Sequence, residues 1–183
     1  MVNTLENYIL VDKQAIDIKF CDFILKEHND WEIHTWSAYN KRQPIIENDP
    51  TELSVSDVKL KSKLIINQVL ENSIEKYLTI QQNSFLVKKF SNPRLNKYEI
   101  NQSMKRHVDH IHTLFAETGG IPILSIVGLL SKDFSGGDFI FWDDHKINLE
   151  MGDVLIFPSN FLYPHRVDPV ISGTRYSFVS WAY

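Results

Sequence analysis

Apolar residues recur at helical spacing in two stretches of the first half of the chain. Ile16, Phe20 and Ile24 follow one another every four residues, with Phe23 beside them. This spacing predicts an amphipathic helix that ends near His28. A longer stretch with the same periodicity predicts a second helix, through Ile66, Leu70, Ile74, Tyr77 and Leu78.

The region between the two predicted helices favours a strand followed by a long loop. Residues 31–39 are rich in β-formers, which predicts a strand. Residues 40–51 contain two prolines and several turn formers, so they form a loop long enough to move. The loop over residues 40–54 could close over a substrate as a lid, or it could be an ordinary exposed connector. The segment Ser54–Asp57 offers a capping box for the second helix.

From about residue 86 onward, short apolar stretches alternate with turn residues. Many short strands with regular turns predict a β-barrel or a double-sheet jelly roll, and two preceding helices would pack on one of its sheets. The predicted strands are residues 85–90, 97–100, 123–130, 138–142, 146–149, 154–157, 166–170 and 175–181. We therefore expect one domain over residues 1–183, mainly β with N-terminal helices (α+β). In it, residues 1–85 form a helical support region and residues 86–183 form the core.

Length and charge narrow the class of protein. A chain of 183 residues is long enough for one substantial core. Its formal net charge of −4 argues against an overall preference for nucleic acid or for an anionic membrane. No apolar run approaches the roughly 20 residues that span a bilayer, and no signal peptide is visible at the start. The single cysteine, Cys21, is predicted to be a small core residue, and we expect a reducing, cytoplasmic setting.

Three residues suggest a metal site. His107 and Asp109 are two positions apart, so in an extended segment their side chains emerge on the same face. Such a pair is common by chance, but His165 opens a later stretch of apolar alternation. Two imidazoles and one carboxylate form the facial triad that suits Fe(II) and leaves coordination positions open for an oxoacid and dioxygen. The remaining histidines are predicted to be surface or satisfied polar groups: His28, His34, His110, His112 and His145.

Arg175 follows ten residues after His165, beyond a segment, residues 168–173, that contains turn formers. The chain can therefore turn there and run back antiparallel. Alternation places Arg175 on one strand face with Ser177, Val179 and Trp181. If that face lines the barrel, the guanidinium lies inside it beside the metal. A buried arginine requires an anion, and its planar fork fits a carboxylate.

Three stretches of the second half resemble the prolyl 4-hydroxylase-type branch of the 2-oxoglutarate/Fe(II) dioxygenases. They are residues 98–109 (YEINQSMKRHVD), 135–141 (SGGDFIF) and 151–181 (MGDVLIFPSNFLYPHRVDPVISGTRYSFVSW). The resemblance implies a double-stranded β-helix (jelly-roll) core. It also implies that iron is bound by His107, Asp109 and His165, and that the distal carboxylate of 2-oxoglutarate is bound by Arg175.

The resemblance assigns further residues to the cosubstrate. Tyr98 would donate a hydrogen bond to it, Val167 would pack beside it, and Trp181 would line the site. Gly136 and Gly137 would form a tight turn. The family pattern commonly has a glycine and an aromatic residue at two positions where this chain has, respectively, Asn101 and Met104. The second of these departures bears on the substrate pocket.

The implied reaction hydroxylates an unactivated C–H bond and releases succinate and CO2. Its cofactor would be Fe(II), with 2-oxoglutarate and O2 as cosubstrates and ascorbate as a reductant. The resemblance favours a prolyl residue in a peptide or protein, with a free amino acid or small metabolite as the alternative; nucleobase demethylation ranks lower. Two other readings remain: a hydrolytic or structural zinc site, and a non-catalytic jelly-roll binding module. No nucleic acid or membrane partner is expected, and the sequence carries no signal for oligomeric state.

Overall fold

Two α-helices and thirteen short strands occur in the computed structural model, which describes residues 4–33, 52–84, 86–110 and 120–183. The helices are α1 (Ile18–Glu27) and α2 (Leu60–Ile80). The strands of the first half are β1 (Leu10–Asp12), β2 (Glu32–Ile33), β3 (Ser54–Asp57) and β4 (Arg94–Tyr98). Those of the second half are β5 (Met104–His107), β6 (Leu124–Leu129), β7 (Phe134–Gly136), β8 (Phe139–Phe141), β9 (His145–Ile147), β10 (Val154–Pro158), β11 (His165–Val167), β12 (Val170–Gly173) and β13 (Arg175–Ala182).

The strands form two main antiparallel sheets. Within the described residues, the larger sheet has the order β1-β10-β6-β13-β4-β3-β2, and the smaller has the order β5-β11-β8-β9. Strands β12 and β7 pair separately. A mainly β chain of antiparallel sheets with two helices fits the predicted jelly-roll core.

Two hydrophobic clusters cover the two faces of the larger sheet. One cluster combines side chains of α1 and α2 with outer-face residues of the larger sheet such as Leu95 and Phe178. The other lies between the sheets and includes Phe141, Phe157 and Val179. Every residue of β6 is buried because both faces of this central strand are covered. The second cluster forms the interior in which the candidate site lies.

The predicted helices are present, but the buried face of α1 differs from the prediction. In α2, Ile66 and Leu70 are buried as predicted, and so are Ile74 and Tyr77. In α1 the buried residues are Cys21 and Ile24, whereas Phe20 is 49% exposed and Phe23 38% exposed. The prediction failed because Ile16 precedes the helix, which is capped by Asp17 and begins at Ile18, so the spacing from Ile16 to Phe20 is not a helical one.

The predicted capping box is wrong. Ser54–Asp57 forms the strand β3, which pairs with β4, and α2 begins six residues after Ser54 with Lys59 as its N-cap and no side-chain capping bond. Of the predicted strand over residues 31–39, Glu32–Ile33 is a strand and residues 34–39 lie outside the described residues. The predicted lid also lies outside them up to residue 51, so its role stays a prediction.

The strands predicted in the second half agree with the structure in five cases: β6, β8, β9, β10 and β13. Strand β4 begins three residues before its predicted start. The predicted strand over residues 85–90 is wrong, because Phe90 makes only an isolated bridge to Ala182 and residue 85 lies outside the described part. Residues 166–170 span parts of β11 and β12, which are separated by Asp168 and by Pro169, a residue with no N–H to donate.

The predicted antiparallel return of the chain after β11 is wrong, because β13 is not a neighbour of β11. Strand β13 pairs with β4 and β6 in the larger sheet, whereas β11 belongs to the smaller one. The first part of the chain also contributes β1, β2 and β3 to the larger sheet, in addition to the helices. Neither helix of the described residues combines the length and the apolarity needed to cross a membrane.

Candidate metal centre

His107, Asp109 and His165 lie together inside the barrel. His107 ends β5 and His165 begins β11, and the two residues are direct partners across these neighbouring strands. Their ring centroids are 4.3 Å apart. The carboxylate of Asp109 lies 3.3 Å from Nε2 of His107 and 3.8 Å from Nε2 of His165. One candidate ligand atom from each residue falls within 4.8 Å of the others.

Backbone carbonyl groups orient both imidazole rings in the same way. Nδ1 of His107 contacts the carbonyl oxygen of Lys105 at 2.8 Å, and Nδ1 of His165 contacts that of Tyr163 at 3.1 Å. In each case the carbonyl belongs to the residue two positions before the histidine. An Nδ1–H that donates to a carbonyl leaves the lone pair on Nε2, the nitrogen that faces Asp109. In this tautomer Nε2 of each ring faces the same carboxylate, and both atoms are placed to act as metal ligands.

Asp109 is held in place by a buried hydroxyl group. Ser125 of β6 donates to Oδ2 of Asp109 at 2.6 Å and also contacts the hydroxyl of Ser159 at 2.8 Å. Burial alone would raise the pKa of Asp109. Interactions with the facing His165 and His107 rings and the hydrogen bond from Ser125 outweigh burial, and the pKa of Asp109 falls well below the usual range. The carboxylate is thus ionised and available as an anionic ligand.

The two histidines differ in their surroundings. Phe139 stacks on His165 at 5.1 Å, and the rings of Phe141 and Phe157 lie at 5.9 and 4.9 Å. Burial among these rings, together with the charge of His107, lowers the pKa of His165 to about 4, so the ring is neutral near pH 7. Burial also opposes protonation of His107, but its contact with Asp109 outweighs burial and raises the pKa.

Arg175 is buried in the same interior, at the start of β13. Its side chain is 2% exposed, and Nη1 donates to Ser177 at 3.0 Å. The guanidinium lies over the ring of Tyr98 at 5.3 Å, and the two residues are partners across β13 and β4. Among the described residues, no carboxylate forms an ion pair with Arg175. A buried guanidinium in this situation calls for an anionic ligand.

The other residues assigned by resemblance also lie in this interior. Tyr98 and Val167 are 3% and 5% exposed, and Trp181 packs against the same cluster. Burial raises the pKa of Tyr98 despite the charge of Arg175, so the phenol keeps its proton and can donate it in a hydrogen bond. Met104 is buried beside Val167, its partner in the neighbouring strand.

Two special backbone positions support the site. Asn101 has a φ of 68°, a left-handed conformation that asparagine tolerates better than most residues, so it can stand where the family pattern has glycine. Gly137 has a φ of 63°, and a Cβ there would lie 2.9 Å from Cδ of Arg175.

A cavity of about 620 Å³ is lined by Arg175, Gly137 and Phe139, among other residues, but by no member of the triad.

The sequence alone does not predict Ser125 as a partner of Asp109. Ser125 is a polar residue at a fully buried position of an otherwise apolar strand, and this was the available signal. Nor does the sequence alone predict a role for Asn96, which is 6% exposed and lies on the same strand face as Tyr98. The polar groups that support the site thus come mainly from strands of the larger sheet.

Comparison with known proteins identifies the family. A sequence profile described as the 2OG-Fe(II) oxygenase superfamily matches residues 93–183, which include the triad and Arg175. A PKHD-type hydroxylase of Acinetobacter baumannii is 30% identical over 155 residues, which cover 80% of this chain and 62% of the relative. This chain belongs to the 2OG-Fe(II) oxygenase superfamily. The resemblance seen in the sequence is therefore confirmed.

Solved structures of the superfamily share the fold. A Pseudomonas putida prolyl-4-hydroxylase has a TM-score of 0.66 and 17% identity, with 96% of this chain and 91% of that chain covered. A Trichoplax adhaerens prolyl hydroxylase in complex with a hypoxia inducible factor peptide fragment has a TM-score of 0.68 and 10% identity, with 97% and 84% covered. At such identities the likeness shows the fold. Among the curated relatives, the match covers 62% of the length of the Acinetobacter baumannii hydroxylase and 36% of another.

Proposed function

We propose that this superfamily member is an Fe(II)- and 2-oxoglutarate-dependent dioxygenase that hydroxylates an unactivated C–H bond. The observation that carries the proposal is the pairing of two elements in one interior. One is a His-Asp-His cluster whose Nε2 atoms and carboxylate converge. The other is Arg175, a buried guanidinium without a carboxylate partner among the described residues. The first suits Fe(II) with open positions, and the second suits the distal carboxylate of an oxoacid.

The donor set of the cluster fits iron. Two imidazole nitrogens and one ionised carboxylate form the facial set that non-haem Fe(II) oxygenases use, and His107, Asp109 and His165 would hold the ion. Bound iron supplies the oxidative chemistry, in which O2 and 2-oxoglutarate yield a hydroxylated product, succinate and CO2. Ascorbate is proposed as the reductant that maintains the ferrous state.

The protein's own residues then bind and orient the cosubstrate. Arg175 would grip the distal carboxylate in a bidentate way, fixing the direction in which the oxoacid points. Tyr98 would donate its phenol proton to the same ligand, and Val167 would pack against its methylene groups. The aromatic rings around His165 exclude water from one side of the cluster. Trp181 would line the side on which substrate arrives.

A prolyl residue in a peptide or protein is the proposed substrate. Support comes from relatives named PKHD-type hydroxylases and from a fold shared with prolyl hydroxylases, one of them in complex with a peptide. A free amino acid or small metabolite is the alternative. We also propose that residues 1–183 act as one domain, with residues 1–85 as support and 86–183 as the catalytic core.

Metal and oxoacid binding can be tested together. Anaerobic titration with Fe(II) and then 2-oxoglutarate should produce the visible charge-transfer band of the chelated oxoacid in the wild-type protein. Asp109→Ala should abolish the band, because the anionic ligand is lost, whereas Asp143→Asn, which alters an exposed carboxylate, should leave it unchanged. Retention of the band in Asp109→Ala would contradict the triad.

The role of Arg175 has a matched control in Arg166, a cation of β11 that bonds to Asp168 outside the interior. Arg175→Gln should raise the apparent Kd for 2-oxoglutarate at least tenfold, about the worth of a charge-assisted hydrogen bond. Arg166→Gln should not change it. Succinate that forms only with O2 and 2-oxoglutarate would exclude a zinc hydrolase, and its absence with all cosubstrates would favour a non-catalytic binding module.

A further inference from the structure

A second arginine, Arg94, lies at the metal end of the same interior. Leu95 packs in the outer cluster, so the alternation of β4 places Arg94 on the inner face with Asn96 and Tyr98. Arg94 is half-buried, and its guanidinium lies over the ring of Trp181 at 5.6 Å. The sequence alone assigns no role to this residue.

The surroundings of Arg94 place it near the triad. The strand partner of Trp181 is Ser125, the residue whose hydroxyl holds Asp109. Through Trp181 the guanidinium therefore lies beside the part of the larger sheet that holds Asp109.

The contacts of Arg94 with Asn96 and Trp181 restrain its side chain. Its Nε donates to Oδ1 of Asn96, itself a buried side chain, at 3.2 Å, and its Cζ lies over the indole ring, 5.6 Å from the ring centroid. A cation–π contact and a hydrogen bond through Nε together restrain a guanidinium, whose outer Nη edge is the one that forms paired hydrogen bonds with a carboxylate. Along β4, Arg94 and Tyr98 are separated by four residues, or about 13 Å. Because Tyr98 pairs with Arg175, the two arginines serve two different ends of the interior.

We propose that Arg94 is a specificity-determining residue that binds a carboxylate of the substrate. The substrate would then be an acidic one: a free amino acid or C-terminal residue with its α-carboxylate, or a peptide with an acidic side chain beside the target residue. This inference rests on the proposed function, since it assumes that the carbon to be hydroxylated is presented to the triad. The chemistry differs from that of Arg175, which is buried more deeply and faces the cosubstrate.

Binding of matched acid and amide ligands tests the proposal without turnover. The protein is loaded with Zn(II) and N-oxalylglycine, an unreactive oxoacid analogue, and affinities are measured by calorimetry. Recognition of an α-carboxylate is measured by comparing the affinity of N-acetyl-proline with that of N-acetyl-prolinamide. The acidic side chain is represented by N-acetyl-Pro-Glu-amide against N-acetyl-Pro-Gln-amide, and by N-acetyl-Glu-Pro-amide against N-acetyl-Gln-Pro-amide. In the wild-type protein, at least one acid should bind about tenfold more tightly than its amide, and the pair concerned identifies the source of the carboxylate.

Substitutions in β4 test whether Arg94 causes the preference for the acid over the amide. Arg94→Gln should bring the acid-to-amide ratio close to one, and Arg94→Lys, which keeps the charge without the fork, should retain part of it. Lys97→Gln removes one charge from the same strand on the opposite face and should keep the full ratio. A preference that persists in Arg94→Gln would overturn the proposal. So would equal affinities in every wild-type pair, including no binding of any ligand at millimolar concentration.

The same samples separate this inference from the proposed function. Binding of N-oxalylglycine to the Zn(II)-loaded wild-type protein reports on the triad and Arg175. If the analogue does not bind, the proposed function fails. If it binds with the same Kd in the wild type and in Arg94→Gln but the acid preference is absent, only the inference about Arg94 fails.

Discussion

The hydroxyl of Ser125 orients the single anionic member of the triad. Its 2.6 Å bond to Oδ2 of Asp109 connects the larger sheet to the cluster, and its contact with Ser159 fixes the direction in which the proton points. A hydrogen-bonded carboxylate keeps its rotamer when a metal ion arrives, so less ordering is needed on binding. Residues that orient metal ligands in this way commonly affect metal affinity although they do not contact the ion.

Replacing Ser125 should therefore weaken metal binding. Ser125→Ala is expected to raise the Kd for Zn(II) or Fe(II) about tenfold, the lower end of the range for such orienting residues. Competition titration with a chelator measures this Kd. Ser135→Ala removes an exposed hydroxyl that bonds to Ser172 and serves as the control. An unchanged Kd in Ser125→Ala would show that Asp109 does not need this bond.

At the scale of single residues, the sequence predicts those functional side chains that are unusual for their position and so give a local signal. His107 and Asp109 stand two apart, and Arg175 occurs in an alternating strand, so each gives a local signal. Ser125 gives only the signal of a polar residue in an apolar strand and Arg94 gives none, because the roles of both depend on cross-strand register. Ser125 of the larger sheet meets Asp109, which follows β5 of the smaller sheet, and Arg94 reaches Trp181 only because β4 pairs with β13.

At the scale of elements, the packing of β6 and β13 depends on a glycine and a phenylalanine. Gly128 and Phe178 are strand partners, and an added Cβ at Gly128 would lie 2.0 Å from Cε1 of the Phe178 ring. Phe178 is fully buried in the outer cluster. The absence of a side chain at residue 128 therefore lets a large ring lie directly on the central strand.

Adding a methyl group at that position should strain the packing of the two strands. Gly128→Ala is expected to lower the free energy of unfolding by about 1–3 kcal/mol, the usual cost of overpacking a core. Chemical denaturation measures the difference. Gly120→Ala is the comparison, since an added Cβ there would come no closer than 3.3 Å to Tyr183. A stability loss no greater than that of Gly120→Ala would contradict this account.

The connection after β1 is fastened to the turn before β10 by Asp153. Its fully buried carboxylate accepts from Nζ of Lys13 at 2.8 Å and from the backbone N–H groups of Gln14 and Glu150 at 2.9 and 2.8 Å. Burial alone would raise the pKa of Asp153, but these donors outweigh it and the pKa is lowered. The ionised form is thus the one that stabilises the fold.

The contribution of Asp153 to stability should depend on pH. A lowered folded-state pKa gives stability above the unfolded pKa, about 3.9, and that stability is lost as the pH falls through the folded value. Asp153→Asn should cost about 2 kcal/mol near pH 7, and the difference from wild type should shrink below about pH 4. Denaturation across pH measures it, with the exposed Asp144→Asn as control. A pH-independent difference would mean that ionisation is not involved.

Element prediction succeeded where one apolar face decides the structure and failed where tertiary pairing does. The periodicity of α2 matches its buried residues, β6 lies within its predicted range, and β13 extends only one residue beyond its own. Ser54–Asp57 has the residues of a helix cap but is a strand because β4 offers it an edge to pair with. On α1 the sequence offers two apolar stripes, and only the packing of Cys21 and Ile24 selects between them.

For the whole molecule, the site joins the two sheets. His107 and His165 belong to the smaller sheet, whereas Arg175 and Ser125, which holds Asp109, belong to the larger one. A metal ion bound by the triad and an oxoacid bound to both the ion and Arg175 would therefore connect the sheets across the inner cluster. Ligands that bind only the folded state stabilise it by mass action.

Metal and oxoacid should accordingly raise the melting temperature in two separable steps. Each ligand at a hundredfold excess over its Kd is expected to add about 2.7 kcal/mol to the free energy of unfolding. Zn(II) alone should give the first increment and N-oxalylglycine the second, and a chelator should remove both, because the analogue needs the ion. Arg175→Gln should keep the stabilisation given by Zn(II) and lose most of the stabilisation given by N-oxalylglycine. If the analogue stabilised this variant as much as the wild type, the guanidinium would not be its anchor, and the larger sheet would be connected through Asp109 alone.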